Sequence, residues 1–273
     1  MSGLKQFSQA FHEHFTRNPN ARVFLGLDTG LAKLPDPSLA AERDRVNEAR
    51  ALLAQLDSID RASLDPEERV DADLARLKLG AEIHDATYEF AGNTTSPQQP
   101  RAGDDIGDGI FSLFNNDPRP AADRLADIKA RIDQVPDYLD ALFARLDRPV
   151  ARWIKMDCDK VEGLPQLSET IASWANEEGW PEAPALRNAI TSAQTALESY
   201  SSKLGALPGH DDIHVGPETT RRIVELRGIA ASPEDLRQTA ADFLAEVSTT
   251  LDELRERLVL SLIHISEPTR RRD

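Results

Sequence analysis

Leu64-Asp65-Pro66-Glu67-Glu68-Arg69-Val70-Asp71-Ala72-Asp73-Leu74-Ala75-Arg76-Leu77 is the stretch that decides the fold class. Asp65 can accept backbone N–H bonds as a helix cap, and Pro66 suits the first helical position. Glu67 and Glu68 then meet the positive end of the helix dipole. Behind them Val70, Leu74, Leu77, Ala81 and Tyr88 recur at helical steps, so one apolar stripe continues to about Phe90.

The same device appears on either side. Upstream, Asp36-Pro37 opens a helix carrying Leu39, Val46, Ala49, Leu53, Leu56 and Ile59. It should fold back on the first as an antiparallel hairpin joined near residues 60–65. Earlier still, Leu4, Phe7, Phe11 and Phe15 share a face, and Pro19 ends that helix or opens a short one. Downstream, residues 91–105 read as the clearest loop, followed by the apolar segment Ile110–Phe114. Asp117 precedes a long pattern of Leu125, Ile128, Ile132, Val135, Leu139 and Leu142, in which Pro136 should kink or break the helix. Pro149 to Glu162 reads as helix, and Gly163-Leu164-Pro165 separates it from another bearing Leu167, Ile171 and Trp174. Helix returns over 182–204, residues 205–217 form a second long connection, and a short helix spans about 217–228. Ser232-Pro233-Glu234-Asp235 opens a last helix to about Val259. No period-two alternation is long enough for a sheet. The expected fold is all-α, an antiparallel multi-helix array of about eight to ten helices, divisible near 91–105 into a hairpin and a larger bundle.

Composition narrows function mainly by exclusion. The 273 residues carry a net charge of −15, and the pI is about 4.9. Nucleic acid and anionic membranes both need a basic surface, so neither is expected as a partner. Aromatic residues make up 5%, too few for a base-stacking platform. No apolar run approaches the ~20 residues of a membrane span, and the N-terminus has no apolar signal core. The expected location is the cytoplasm. Cys158 is the single cysteine, which excludes an internal disulfide and a thiolate zinc pair. No histidine lies near it in sequence to activate it as a nucleophile.

The candidate motifs resolve to structural readings. His210-Asp-Asp-Ile-His214 has the spacing of a His-Glu-x-x-His zinc site, but Gly205, Pro208 and Gly209 precede it and Gly216-Pro217 follows it. A loop is expected there, so the two imidazoles do not share a helical face and stand as solvated residues. His12 and His14 point to different sides of a helix and read as surface residues. His84 reads as partly exposed on a charged helix. Asp157, Asp159 and Glu162 lack the glycine-bearing loop of a calcium site and read as a solvated helix face. Gly103, Gly107 and Gly109 have neither the preceding strand nor the steps of a dinucleotide fingerprint and read as flexible loop. No catalytic, cofactor-binding or metal-ligating residue is predicted in this chain.

A set of short motifs in order carries a resemblance. They are Val23-Phe-Leu-Gly-Leu27, Leu34-Pro-Asp-Pro-Ser38, the stretch from Leu56 through Asp65-Pro-Glu-Glu68 to Leu74, Asp108-Gly-Ile-Phe-Ser-Leu113, Arg124-Leu125 with Val135-Pro136, His214-Val-Gly-Pro-Glu218, and Ser232-Pro-Glu-Asp-Leu236. Together they resemble the bacterial family called domain of unknown function 885, over nearly all of residues 15–258. That family looks like the gluzincin class of zinc metallopeptidases, with its His-Glu-x-x-His motif in the C-terminal half. None of that motif is present here. The resemblance implies the N-terminal part of a zincin-like helical fold, a non-catalytic fragment forming one wall of a substrate channel in a parent protein that would bind zinc and peptide. A self-sufficient helical binding or scaffold module is the alternative. Leu260-Ser-Leu-Ile-His-Ile-Ser-Glu-Pro-Thr-Arg270 looks like a sequencing adapter read as coding DNA, so residues 1–259 are expected to be the native helical region and 260–273 a non-native tail. A truncated body should expose an apolar face, expected on Phe243, Leu244, Val247, Leu251, Leu254 and Leu258.

Overall fold

The Asp65 cap forms as its sequence predicts. In a computed structural model that describes residues 3–266, with side chains through Leu258, Asp65 Oδ1 accepts the Glu68 N–H at 2.9 Å. Glu68 Oε2 accepts the Asp65 N–H at 3.0 Å, which completes a capping box. The helix so opened, α4, spans Pro66–Thr87 and pairs with α3 (Leu39–Asp57); α1 (Gly3–Phe15) packs on α3. Leu4, Phe7, Ala49, Leu52, Leu56 and Leu79 are among the residues closing one apolar cluster there.

Two details of the hairpin differ from expectation. The cap of α3 is Ser38, whose Oγ accepts the Ala41 N–H at 3.2 Å, while Asp36 accepts the Ser38 N–H two residues earlier. The buried face of α4 is Ala72, Ala75 and Leu79, and Val70 and Leu74 are 58% and 59% exposed. Small alanines let α3 approach α4 closely, so the larger residues turn outward. Leu74 lines an open groove with Phe7, Phe11 and Phe15 instead.

The remaining elements up to residue 215 include the helices that build a second apolar cluster. They are α2 (Pro19–Phe24), a two-residue hairpin of β1 (Glu89–Phe90) and β2 (Asn93–Thr94), α5 (Thr95–Gln98), α6 (Ala102–Asn115), α7 (Ala121–Asp133), α8 (Val135–Arg145), α9 (Ala151–Glu177) and α10 (Ala183–Gly205). Ile106, Leu113, Leu125, Ile128, Leu142 and Ile171 sit at its centre, each 2% exposed or less. The all-α class therefore holds, with one short hairpin among the described residues. Pro136 breaks the long pattern as predicted, because α7 stops at Asp133 and α8 starts at Val135 with the proline in its first turn.

Three segments read differently from sequence. The expected 91–105 loop contains β2, α5 and the start of α6. Gly103, Gly107 and Gly109 belong to α6 and serve close packing: a Cβ at Gly109 would lie 2.6 Å from both Arg131 Nη1 and Asn20 Oδ1, and one at Gly103 would collide with Lys160 of α9. Gly163-Leu164-Pro165 does not interrupt α9. Pro165 lies on its exposed side, where water can serve the carbonyl that the ring leaves without a donor.

By contact the chain divides into two compact units, Met1–Val215 and Gly216–Asp273. The second contains α11 (Gly216–Leu226) and α12 (Pro233–Ser266). Ser232 and Asp235 cap α12 reciprocally, with Ser232 Oγ accepting the Asp235 N–H at 3.1 Å. Of the face expected to be exposed, Phe243, Leu244, Leu251, Leu254 and Leu258 are exposed and Val247 is half-buried. The reading of 260–273 as a tail falls on side chains outside the described residues.

Candidate functional site

A polar cleft opens where α1, α3 and α4 meet α2, α6 and α8. It has two adjoining lobes, of about 540 and 280 Å³, that share Asn18, Glu42, Arg45 and Arg101 as walls. Volumes of this size suit small ligands. Phe15, Lys78, Glu82, Asp85 and Tyr88 line the larger lobe, and Arg17, Lys33, Asp36, Asp105 and Arg145 the smaller.

His14 anchors the floor and corrects a sequence expectation. It is 4% exposed, not a surface residue. Its Nδ1 lies 2.8 Å from Glu48 Oε2 and its Nε2 3.0 Å from Glu82 Oε2, so one imidazole ties α1 to α3 and α4. The Glu82 hydrogen bond raises its pKa most; burial opposes the rise, and Glu48 adds to it. An imidazolium held between two carboxylates is the outcome. Each carboxylate also has an arginine: Arg17 at 2.7 Å from Glu48 and Arg45 at 2.8 Å from Glu82. Sequence spacing missed this group because Glu48 and Glu82 lie 34 and 68 residues away.

Across the cleft, buried polar groups fix the second wall. Arg131 is 0% exposed. Its Nε donates to Leu31 O at 2.6 Å, Nη1 to Asn20 Oδ1 at 2.6 Å and Nη2 to Pro19 O at 3.2 Å. These bonds pin the loop that carries Lys33 and Leu34 onto α7. Burial lowers the Arg131 pKa to about 10. A signal for it existed in the sequence, since Arg131 stands within the apolar stripe of Ile128, Ile132 and Val135. Tyr138 donates to Asp105 Oδ2 at 2.6 Å, and Arg101 sits 3.0 Å from Asp105 Oδ1. Burial first, and then Asp105, raises the Tyr138 pKa, so the phenol stays protonated.

Asp157 is likewise buried, at 3% exposure, where a solvated face was expected. It accepts the N–H groups of Ala102 (3.2 Å) and Gly103 (2.8 Å) and the Tyr200 hydroxyl (2.8 Å). This carboxylate from α9 is the cap that α6 lacks locally, since Arg101 makes no capping bond. It sets the position of Arg101 at the cleft. Asp159 and Glu162 are exposed, as expected for that helix face. Cys158 is half-buried, with Sγ 3.9 Å from Ser201 O.

The histidine pair at 210 and 214 does not share a helical face. No helix spans it, and His214 is exposed. His210 is half-buried rather than solvated, and its Nε2 lies 2.7 Å from Gln98 Oε1. Gln98 also donates to the carbonyls of Phe90, Asn93 and Thr94, so His210 serves to hold the β-hairpin. His14 spends both ring nitrogens on carboxylates. Among the described residues no group of three or more His, Cys, Asp and Glu is placed to hold a metal. His84 stacks on Tyr88 at 5.1 Å and is partly exposed as expected. No described helix is long and apolar enough to cross a membrane.

Comparison with known proteins adds family and fold. A solved protein from Shewanella oneidensis, described as "a putative lipoprotein of unknown function", superposes with a TM-score of 0.77 at 19% identity. The alignment covers 99% of this chain and 50% of that one, so the chain spans half the length of the protein it matches. No curated protein matches. The family profile for bacterial proteins of unknown function aligns with residues 19–265, and on that match the chain belongs to the DUF885 family.

Proposed function

We propose that this chain supplies one helical wall of a substrate channel in a zinc-dependent peptidase and contributes no catalytic group of its own. The two-lobed cleft carries the reading. Its walls alternate cations and carboxylates beside the Phe15 and Tyr88 rings, the mixture that a peptide backbone with varied side chains can use. Rigid supports around it, the His14 trio and the Arg131 staple, suit a surface that must hold its shape for a ligand. A chain half as long as its solved neighbour leaves room for the reacting groups elsewhere in the parent.

The test uses the chain as it stands. Labelled short peptides should bind weakly by fluorescence anisotropy, and Ala86→Trp, which fills the larger lobe, should abolish binding. Incubation with the same peptides should give no cleavage, and elemental analysis should find zinc well below one equivalent. Stoichiometric zinc with peptide turnover would show that the chain has its own catalytic centre. Absence of peptide binding would remove the wall role and favour a scaffold module.

A further inference from the structure

The geometry points to a docking face along α12 whose occupant is a second helix, an amphipathic one with an apolar seam edged by carboxylates. The inference concerns the second unit alone and does not depend on the reading of the cleft.

The seam starts in the sequence. Ala240, Leu244, Val247, Leu251, Leu254 and Leu258 follow one another at steps of four and three in strict alternation, the a and d positions of a heptad repeat. All six lie on α12, so the repeat forms one stripe along its side. No described side chain of α12 is buried, and Leu244 and Leu258 are 66% and 63% exposed. Most of a helix's stability in a protein comes from packing its apolar face, and here that face is bare. A stripe of this period fits another helix, because two helices keep knobs and holes in register along such a seam.

Charge then selects the kind of helix. Between Ala240 and Leu258, α12 carries the carboxylates Asp242, Glu246, Asp252, Glu253 and Glu256 and the arginines Arg255 and Arg257. Every carboxylate falls at an outward b, c or f position. Both arginines fall at e and g, which flank the seam and face the flanks of a partner. In a chain of net charge −15, the edges of this stripe are therefore cationic. Arg255 reaches only Asp252, at 3.4 Å with the two side chains 77% and 72% exposed, and Arg257 makes no ion pair among the described residues. An exposed contact of that kind contributes less than about 1 kcal/mol and yields to a better-placed carboxylate.

Two other occupants match the face less well. In a pair of α12 helices from two copies, e and g positions meet e and g positions in either direction. Those positions are Ala241, Phe243, Ser248, Thr250, Arg255 and Arg257, and none is a carboxylate. An anionic bilayer would attract the arginines but repel the carboxylates of the opposite face, whereas helices that lie on membranes carry a basic polar face.

The experiment titrates the full chain with two labelled synthetic peptides of about three heptads each. Both have leucine at a and d; one has glutamate at e and g, the other lysine. By fluorescence anisotropy the glutamate peptide should bind about tenfold more tightly than the lysine peptide, and the gap should narrow as salt is added. Arg255→Glu combined with Arg257→Glu should reverse the preference, and Leu251→Asp should weaken both peptides. The double variant changes exposed side chains only and keeps the test valid should Leu251→Asp unfold α12. Equal affinity for the two peptides, a preference that survives the double variant, or binding of neither peptide would each overturn the proposal. Sedimentation showing that the chain pairs with itself through this face, in a manner that Leu251→Asp removes, would overturn the choice of partner in favour of a second copy. Stronger retention on phosphatidylserine vesicles than on the glutamate peptide would overturn it in favour of a membrane.

Discussion

Replacing His14 with Gln tests the floor of the cleft. The wild-type imidazolium makes two charge-assisted hydrogen bonds from a side chain 2% exposed. Such bonds contribute about 1.5–3 kcal/mol each when fully buried. Glu48 and Glu82 are 34% and 18% exposed and keep Arg17 and Arg45, so neither carboxylate is left unpaired by the change. The expected loss is therefore about 2 kcal/mol in total, or roughly 4–8 °C in Tm for a unit of this size. The sign of its pH dependence follows from the raised pKa. Below the ordinary value of 6.5 both folded and unfolded chains hold the proton, and the stabilisation is complete. Above 6.5 the unfolded chain releases it first, so the advantage declines as pH rises through the raised folded value. Urea melts of wild type and His14→Gln at half-unit steps from pH 5.5 to 9 give the difference directly. A gap that is constant across this range, or that widens towards alkaline pH, would refute the imidazolium bridge.

Three further outcomes follow from the second wall. Arg131→Met should cost about 3 kcal/mol or more in a denaturant melt, since three oxygens lose their donors at once. Asp157→Ala should cost about 2 kcal/mol by removing the cap of α6, with hydrogen exchange fastest at Ala102 and Gly103. Gly109→Ala should cost about 1–3 kcal/mol, seen as a lowered Tm, because the new methyl must displace Arg131 or Asn20.

Local chemistry was legible in the sequence, and distant partnership was not. The Asp65 box and the Ser232 start need only residues three apart, so reading them requires no fold. Pro136 broke its helix for an equally local reason. The burial of α4 needed more: two stripes, one of Val70 and Leu74 and one of Ala72, Ala75 and Leu79, both fit a 3.6-residue period. The close approach of α3 chose the smaller side chains. His14 and Asp157 looked like surface residues because their partners lie between 34 and 68 residues away. The cleft itself had no signature, since Arg101 and Arg145 acquire meaning only when α6 and α8 meet. The family was readable because it depends on the order of many short motifs rather than on any one contact.

The borrowed cap of α6 bears on the order of assembly. Helices α2, α3, α4 and α12 carry a local side-chain cap and can begin to form while the rest of the chain is unstructured. The first turn of α6 cannot, because the oxygen that secures it arrives from 54 residues downstream. Closing a loop of that length has an entropic cost that must be met before the bond returns anything. The amino end of α6, and with it Arg101 at the mouth of the cleft, should therefore be among the last parts of this unit to mature, after α9 has docked. A nascent chain shorter than about Asp157 would have the cleft's residues but not yet its shape.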